Sequence, residues 1–333
     1  MAADEFTEFH DELRSVAGDL LAKDREVGWA MLVDAGWTGL EVPDALGGAG
    51  ATFGETAVIL EQIGRASSAN SYLGSAVLAG GLLNLLQDSQ IRDELFTTVA
   101  DGPSRLCAVA GDFVIDDGRV SGRAEFVADA VGADRLLLIT ATGVAVVPPT
   151  GLTVQAQPVV DETRRLAAVT ADAVEIDQVL EFAGDPAAAT QAFHDRAAVA
   201  IACDSLGVAA QMLTATVDYL KVRHQFGRPI GSFQAVKHAC ADMLVAVEVS
   251  RQLVAEAVGA VSDNADAGVA AAMAKSYTCL AAVDVAGKAM QLHGGIGYTW
   301  ESGIHIYLKR AALNRSLFGS PAAQRQKLAQ RYR

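Results

Sequence analysis

The segment RHQFGRPIGSFQAVKHACADM, residues 223–243, sets a guanidinium, an aromatic ring and a carboxamide around one corner of the chain. Gly227 lets the backbone turn where other residues resist, and Pro229 fixes the φ of the residue that follows the turn. A helix that only had to pack would need neither. The pattern is that of a binding corner presenting Arg223, Phe226 and Gln234. A second stretch, QLHGGIGYTWESG, follows Gln291 with Gly294 and Gly295, and glycines permit close approach to a backbone. Each stretch also has a plainer explanation. Arg223 could complement a helix C-terminus, and the Gly pair could be a simple helix stop.

The elements that would position these residues fall into three segments. Residues 1–103 read as helical: EFTEFHDELRSVAGDLL and ETAVILEQIGRAS have apolar residues at helical spacing, and SYLGSAVLAGGLLNLLQ continues the series. A Gly- and Pro-rich loop, WTGLEVPDALGGAGATFGE, interrupts them. Residues 104–184 change texture to short β-rich runs broken by DDG, SG and PPTG, which predicts a small antiparallel β-domain with LLLIT and VAVVP as core strands. Residues 185–333 return to helix, with long helices expected near 187–223, 232–262, 265–293 and 301–316 and a shorter one closing the chain. Short connections between long helices argue for an antiparallel four-helix bundle. The fold class is α+β, in the order helices, sheet, helices.

Composition narrows the function. The formal net charge of −14 and the lack of a basic stripe exclude a nucleic-acid partner. The N-terminus MAADEFTEFHDE is acidic and does not resemble a signal peptide. Asp204 interrupts the most apolar run, AAVAIACDSLGVAA, so no membrane span is expected and the expected location is the cytoplasm. Cys107, Cys203, Cys240 and Cys279 are widely spaced and lack a metal-ligand pattern. They read as small buried hydrophobes, with no metal site.

Taken together the motifs resemble those of the acyl-CoA dehydrogenase family. RHQFGRPIGSFQ resembles its R-x-x-F-G-x-x-I-x-x-x-Q signature, and AMAKSYTCLAAVDVAGKAMQLHGGIGYTWES its Q-x-x-G-G-x-G-Y-x-x-E signature. GWTGLEVPDALGGAGATFGETAVILEQIGRA resembles the N-terminal G-W-x-G loop with its E-x-x-G-R helix. Three motifs in the family order cover most of the chain. The resemblance implies FAD and α,β-dehydrogenation of an acyl-CoA. It further implies that Arg223 pairs with the FAD pyrophosphate, Phe226 lies against the cofactor, Gln234 hydrogen-bonds it, and Gln291, Gly294 and Gly295 contact its adenosine end.

Two departures matter. The family's T-E-P-x-A-G-S-D loop, which lines the flavin ring, has no counterpart in SRLCAVAGDFVIDDGRV. The Y-E-G-T whose Glu is the base is replaced by Phe318-Gly319-Ser320. Some members place the base on the first helix of the C-terminal bundle, just before an Arg, and the matching position here is Asp195. An Asp reaches one methylene less far than a Glu, roughly 1.5 Å, so Asp195 is a short base, with a helix-terminal carboxylate as the plainer reading. Arg196 would line the same pocket or pair with Asp195. His194 and His293 read as structural. The residues that serve a neighbour's FAD are kept, and those for the chain's own flavin ring and base are lost. This resembles the short β-subunits of actinobacterial α2β2 acyl-CoA dehydrogenases acting on steroid CoA esters. The implied partners are a longer α-type subunit carrying the catalytic Glu, an acyl-CoA, and an electron-transfer flavoprotein. The alternatives are a self-sufficient homo-oligomer using Asp195 and a non-catalytic scaffold.

Overall fold

A computed structural model describes residues 3–331. The N-terminal helices are α1 (Ala3–Leu21), α2 (Trp29–Asp34), α3 (Phe53–Ala66), α4 (Ala79–Leu83) and α5 (Gln90–Asp101). Helix α5 begins at Ser89, whose hydroxyl accepts from the Arg92 N–H, and ends at Gly102 in the left-handed region. The expected continuous helix over SYLGSAVLAGGLLNLLQ is instead a π-helical segment, Tyr72–Leu78, that passes into the short α4. Glycines at 74, 80 and 81 weaken the α-helical preference there. The Gly74 N–H is drawn to the Asp129 carboxylate at 2.9 Å.

Eight strands follow: β1 (Leu106–Ala110), β2 (Asp112–Asp116), β3 (Arg119–Ala128), β4 (Arg135–Ile139), β5 (Val144–Val147), β6 (Thr153–Gln157), β7 (Leu166–Glu175) and β8 (Gln178–Leu180). They form two four-stranded sheets, ordered β1-β4-β5-β8 and β2-β3-β7-β6. LLLIT and VAVVP supply β4 and β5, both buried, as their unbroken apolar runs require. All neighbours are antiparallel except β1 and β4, which pair in parallel from Leu106–Arg135 to Ala110–Ile139. Cys107, Val109, Val120, Leu136, Leu138 and Val169 belong to one shared core.

The C-terminal helices are α6 (Pro186–Val222), α7 (Gln234–Ser262), α8 (Gly268–Leu292), α9 (Ile304–Ser316) and α10 (Pro321–Arg331). A two-stranded hairpin, β9 (His224–Gln225) with β10 (Arg228–Pro229), separates α6 from α7. Helix α8 packs against α7, α9 and α10, and Ala271, Ala274, Ala282, Ala286 and Ala289 keep its buried faces small. By length and composition α6 and α8 could each cross a membrane, but most of their apolar windows are buried inside the protein. They are core helices.

By packing, the chain divides into two compact units. A helical unit contains Met1–Arg25, Ala57–Ser68 and Ala198–Arg333, and a sheet unit contains Glu26–Thr56 and Ala69–Ala197. In the helical unit α3 and α6 cross at backbone contact. A Cβ on Gly64 would stand 2.0 Å from the Asp204 carbonyl oxygen, and one on Gly207 the same distance from that of Glu61. Beside this crossing lies a fully buried ion pair. Arg310 donates from Nε to Asp204 Oδ1 at 2.9 Å and from Nη2 to Oδ2 at 2.6 Å. Its Nη1 reaches the Ser68 carbonyl, and Asn314 adds a second donor to Asp204 Oδ1 at 2.7 Å. Cys107, Cys203 and Cys279 are buried as expected, whereas Cys240 is only half-buried, because it lies on the outer part of α7.

In the sheet unit, burial pushes the Asp129 carboxyl from 3.8 up to about 6, against the Gly74 N–H and the charges of Arg164, Arg105 and Arg165. A carboxyl whose folded value lies above its unfolded one disfavours the folded state once it ionises. Its contribution therefore falls as pH rises from about 4 to about 6, by at most about 3 kcal/mol. Asp129→Asn keeps an acceptor for the Gly74 N–H, tolerates the positive φ at this position, and cannot ionise. Urea unfolding is expected to show the variant more stable than the native chain by about 1–3 kcal/mol at pH 7 and equal to it near pH 4. Equal stabilities at both pH values would refute the assignment.

Candidate functional site

The corner at the end of α6 is a tight hairpin. Gln225 pairs with Arg228, leaving Phe226 and Gly227 as the two central residues, with φ of 56° and 77°. Two positive values are the signature of a type I′ turn, in which Asn-Gly or Gly-Gly would be the easy choice. A Phe held there costs roughly 1–2 kcal/mol. Phe226 is 88% exposed, so the cost is not recovered by burial within this chain. Its ring only meets the edge of Phe233 at 6.1 Å, while Arg228 lies 4.0 Å over the Phe233 ring. Backbone strain of this kind clusters at functional sites.

The other corner residues are equally uncommitted. Arg223 is exposed and takes part in no ion pair among the described residues; only its backbone is engaged, its carbonyl accepting from Ile230 at 2.8 Å. Gln234 is exposed at the first position of α7, a helix that begins with no side-chain cap. Gln291, Gly294 and Gly295 are exposed at the end of α8, with Gly294 at φ +61°, and a Cβ on either glycine would meet nothing within 4 Å. The two motifs are tied together by a contact that sequence reasoning missed. Tyr219 stacks on His293 with centroids 4.4 Å apart, and its hydroxyl donates to the His293 carbonyl at 3.4 Å. Tyr219 stands one helical turn before Arg223 and His293 one residue before Gly294, so their positions beside the two motifs were the available signal. His293 is structural: its Nδ1 also contacts the Ala289 carbonyl.

FAD, implied by the family resemblance, can be tested against this donor set. An unpaired guanidinium, an amide at an uncapped helix N-terminus, a flat exposed ring and Cβ-free backbone at α8 suit a diphosphate with an adenosine attached. The residues fit the group.

Asp195 and Arg196 have a different character. Both lie in the sheet unit, 7% and 8% exposed. Asp195 accepts from Gln191 Nε2 at 2.8 Å. The pairing of Arg196 with Asp195 considered from the sequence is not found. Neighbours on a helix point about 100° apart, and Arg196 pairs instead with Glu41, which also accepts from Thr56. Arg196 Nε further donates to the Val77 carbonyl at 2.9 Å, and its guanidinium lies 4.5 Å over the Phe53 ring. A Cβ on Gly81 would strike it at 2.0 Å. The cavity bordered by Glu41, Thr56 and Tyr72 measures about 10 Å3, room for one water. Within the helical unit, the segment that replaces Y-E-G-T is held by its backbone: Lys275 Nζ donates to the Gly319 carbonyl at 3.1 Å and Gln324 to that of Phe318 at 2.9 Å.

N-terminal helices, two small sheets, and a bundle entered through an arginine-bearing hairpin make this an acyl-CoA dehydrogenase fold. Residues 1–102 match the family model described as the acyl-CoA dehydrogenase N-terminal domain, and residues 184–332 that of the C-terminal domain. Acyl-CoA dehydrogenase IpdE2 of Mycolicibacterium smegmatis is 35% identical over 301 residues, 90% of this chain and 86% of the relative. Among solved structures, the Tcur3481-Tcur3483 steroid ACAD G363A variant is 29% identical over 97% of each chain, with a TM-score of 0.86. The ChsE4-ChsE5 complex from Mycobacterium tuberculosis gives the same TM-score at 23% identity, covering 97% of this chain and 96% of that one. The chain belongs to the acyl-CoA dehydrogenase family, and so to a family of oxidoreductases.

Proposed function

We propose that this chain is the β-type subunit of an FAD-dependent, hetero-oligomeric acyl-CoA dehydrogenase, in which it completes the FAD site of a longer subunit that carries the catalytic Glu. The observation that supports this reading most is the contrast between two sets of residues. Arg223, Phe226 and Gln234 are exposed, strained or uncommitted, whereas Asp195 and Arg196 are buried and bound to neighbours within the chain. A self-sufficient dehydrogenase would need both sets open. FAD, when bound, supplies the two-electron acceptor for α,β-dehydrogenation. This chain's part is to hold the diphosphate with Arg223 and Gln234, to cover the cofactor with Phe226, and to admit the adenosine end at Gln291, Gly294 and Gly295.

Exposed apolar residues support an obligate assembly. Leu244, Val245 and Val249 on α7 and Met273 and Tyr277 on α8 are all more than a third exposed. Tyr298 and Trp300, beyond α8, are more exposed still. Such surface marks a protein interface. The 29%-identical structure is a steroid ACAD designated by two proteins, and the ChsE4-ChsE5 structure is a complex. By analogy with the first of these the acyl group is steroid-derived; the α2β2 stoichiometry, an electron-transfer flavoprotein as acceptor and a cytoplasmic setting rest on the resemblance of the sequence motifs alone.

Co-expression with a full-length homologue tests the reading. The expected product is a yellow particle with one FAD per pair of unlike chains, and a lone chain that is colourless or insoluble. Asp195→Asn within that particle is expected to leave turnover within a few-fold. A yellow homo-oligomer with one FAD per chain, or a loss above about a hundredfold in the variant, ~2.7 kcal/mol, would instead establish the self-sufficient enzyme with Asp195 as base.

A further inference from the structure

We propose that the helical unit carries a second anion site, separate from the corner at Arg223, that takes a phosphorylated small molecule. A cavity of about 490 Å3 lies where α1 and α3 end, bordered by the middle of α6 and the start of α9. Lys23, Arg25 and Arg65 stand on its wall with Gln62, Gln211 and Tyr307. Asp24 is the only carboxylate there. None of the three cations forms an ion pair among the described residues, in a chain whose acidic side chains outnumber its basic ones by 40 to 26.

Lys23 and Arg65 stand at helix C-termini, where a cation is favourable in its own right. That accounts for their sign and not for the rest of the wall. Gln62 is 8% exposed, borders the cavity, and has no hydrogen-bond partner among the described residues. Its amide is not sealed off from the cavity, so it is available to an occupant. Gln211 accepts from Arg65 Nη2 at 3.4 Å through its oxygen, which leaves its NH2 group for the cavity. Tyr307 donates to the Arg65 carbonyl at 3.0 Å and sits in the field of Arg25, Arg310 and Arg65. Arg310 is committed to Asp204, so Arg25 and Arg65 are the guanidiniums available to a ligand.

The wall is rich in donors and carries a net charge of two positive units, from three cations and one carboxylate. That matches a dianionic phosphate or a diphosphate, which guanidinium forks grip through paired N–H bonds. The volume exceeds what a lone phosphate needs and lies within the range of small-molecule sites. Leu21, Ala22 and Ala66 line part of it with apolar surface, so the ligand has an organic body attached to its phosphate.

The test uses the chain in its flavin-loaded assembly, with FAD and acyl-CoA saturating, titrated calorimetrically with inorganic pyrophosphate and with adenosine diphosphate. Binding of one molecule per copy of this chain, weaker at high salt, is expected. Arg25→Gln, at an exposed position, is expected to weaken it at least tenfold, and Gln62→Leu to weaken it without changing flavin content or turnover. The proposal is overturned if neither probe binds at millimolar concentration. It is equally overturned if binding is unaffected by Arg25→Gln, which would place the probe on the FAD or acyl-CoA sites. Because flavin content and turnover are read in the same samples, failure here is distinct from failure of the subunit assignment.

Discussion

Asp204→Ala is expected to lower the stability of the chain by about 3–5 kcal/mol, enough to take much of it out of the soluble fraction. The reason is Arg310. Both residues are wholly buried, and the guanidinium makes a two-pronged contact with the carboxylate. Without Asp204 the guanidinium stays buried without its counter-charge, and Asn314 loses the shorter of its two contacts, keeping the one to the Ser205 hydroxyl at 3.2 Å. A domain of this kind is stable by only about 5–15 kcal/mol in all. The double variant Asp204→Leu, Arg310→Met removes both charges together and is expected to recover most of the loss, because an apolar pair of similar volume is often as stable as a buried ion pair. Recovery will be incomplete, since Asn314 and the Ser68 carbonyl each lose a buried hydrogen bond. Denaturant midpoints of the assembled protein measure all three. A single variant within about 1 kcal/mol of native would show that the pair is not structural.

Arg223→Ala is expected to strip FAD from the assembly while leaving the particle's mass unchanged. A hydrogen bond to a charged group contributes about 1.5–3 kcal/mol, so loss of the guanidinium weakens FAD tenfold to more than a hundredfold. Arg223→Lys should retain part of the affinity as a point charge without the fork. Arg223 is exposed and outside any ion pair among the described residues, so the variant should unfold like the native chain. That separates a binding defect from a folding one. Arg228→Ala, which removes a cation stacked on Phe233, serves as a neighbour control and should matter less. Flavin content equal to native in Arg223→Ala would refute the assignment of the diphosphate contact.

The parts of the molecule that were legible in the sequence are those set by local chemistry. Helical spacing placed the bundle helices within a few residues of α6 to α9, and turn residues marked the sheets. The Gly227-Pro229 corner was readable because a positive φ and a fixed φ are properties of single residues. Non-local pairings were not readable. The parallel alignment of β1 with β4 is set by where two distant strands meet. Asp204 was visible only as a charge interrupting an apolar run, and its partner stands 106 residues later. The expected environment of Arg196 failed for the same reason: its carboxylate is Glu41, 155 residues away, and not the adjacent Asp195. In the π-helical segment, the Gly74 N–H is committed to a residue of a different element, which propensity cannot anticipate.

The helical unit is assembled from both ends of the chain, with the sheet unit's residues between them. On the ribosome, the apolar faces of α1 and α3 emerge long before the helices that belong with them. Arg310, which closes on the Ser68 carbonyl, follows that residue by 242 positions. At about 5–20 residues per second, the interval is on the order of 10–50 s. For about the first half of it α6 has not been made, and until α9 is complete the buried Leu21, Ile59 and Ile63 belong to a unit that is still unfinished. Synthesis speed and chaperone capacity should therefore govern the yield of this chain more than that of a protein whose core is contiguous in sequence, and slowing translation should lengthen its dependence on a holdase.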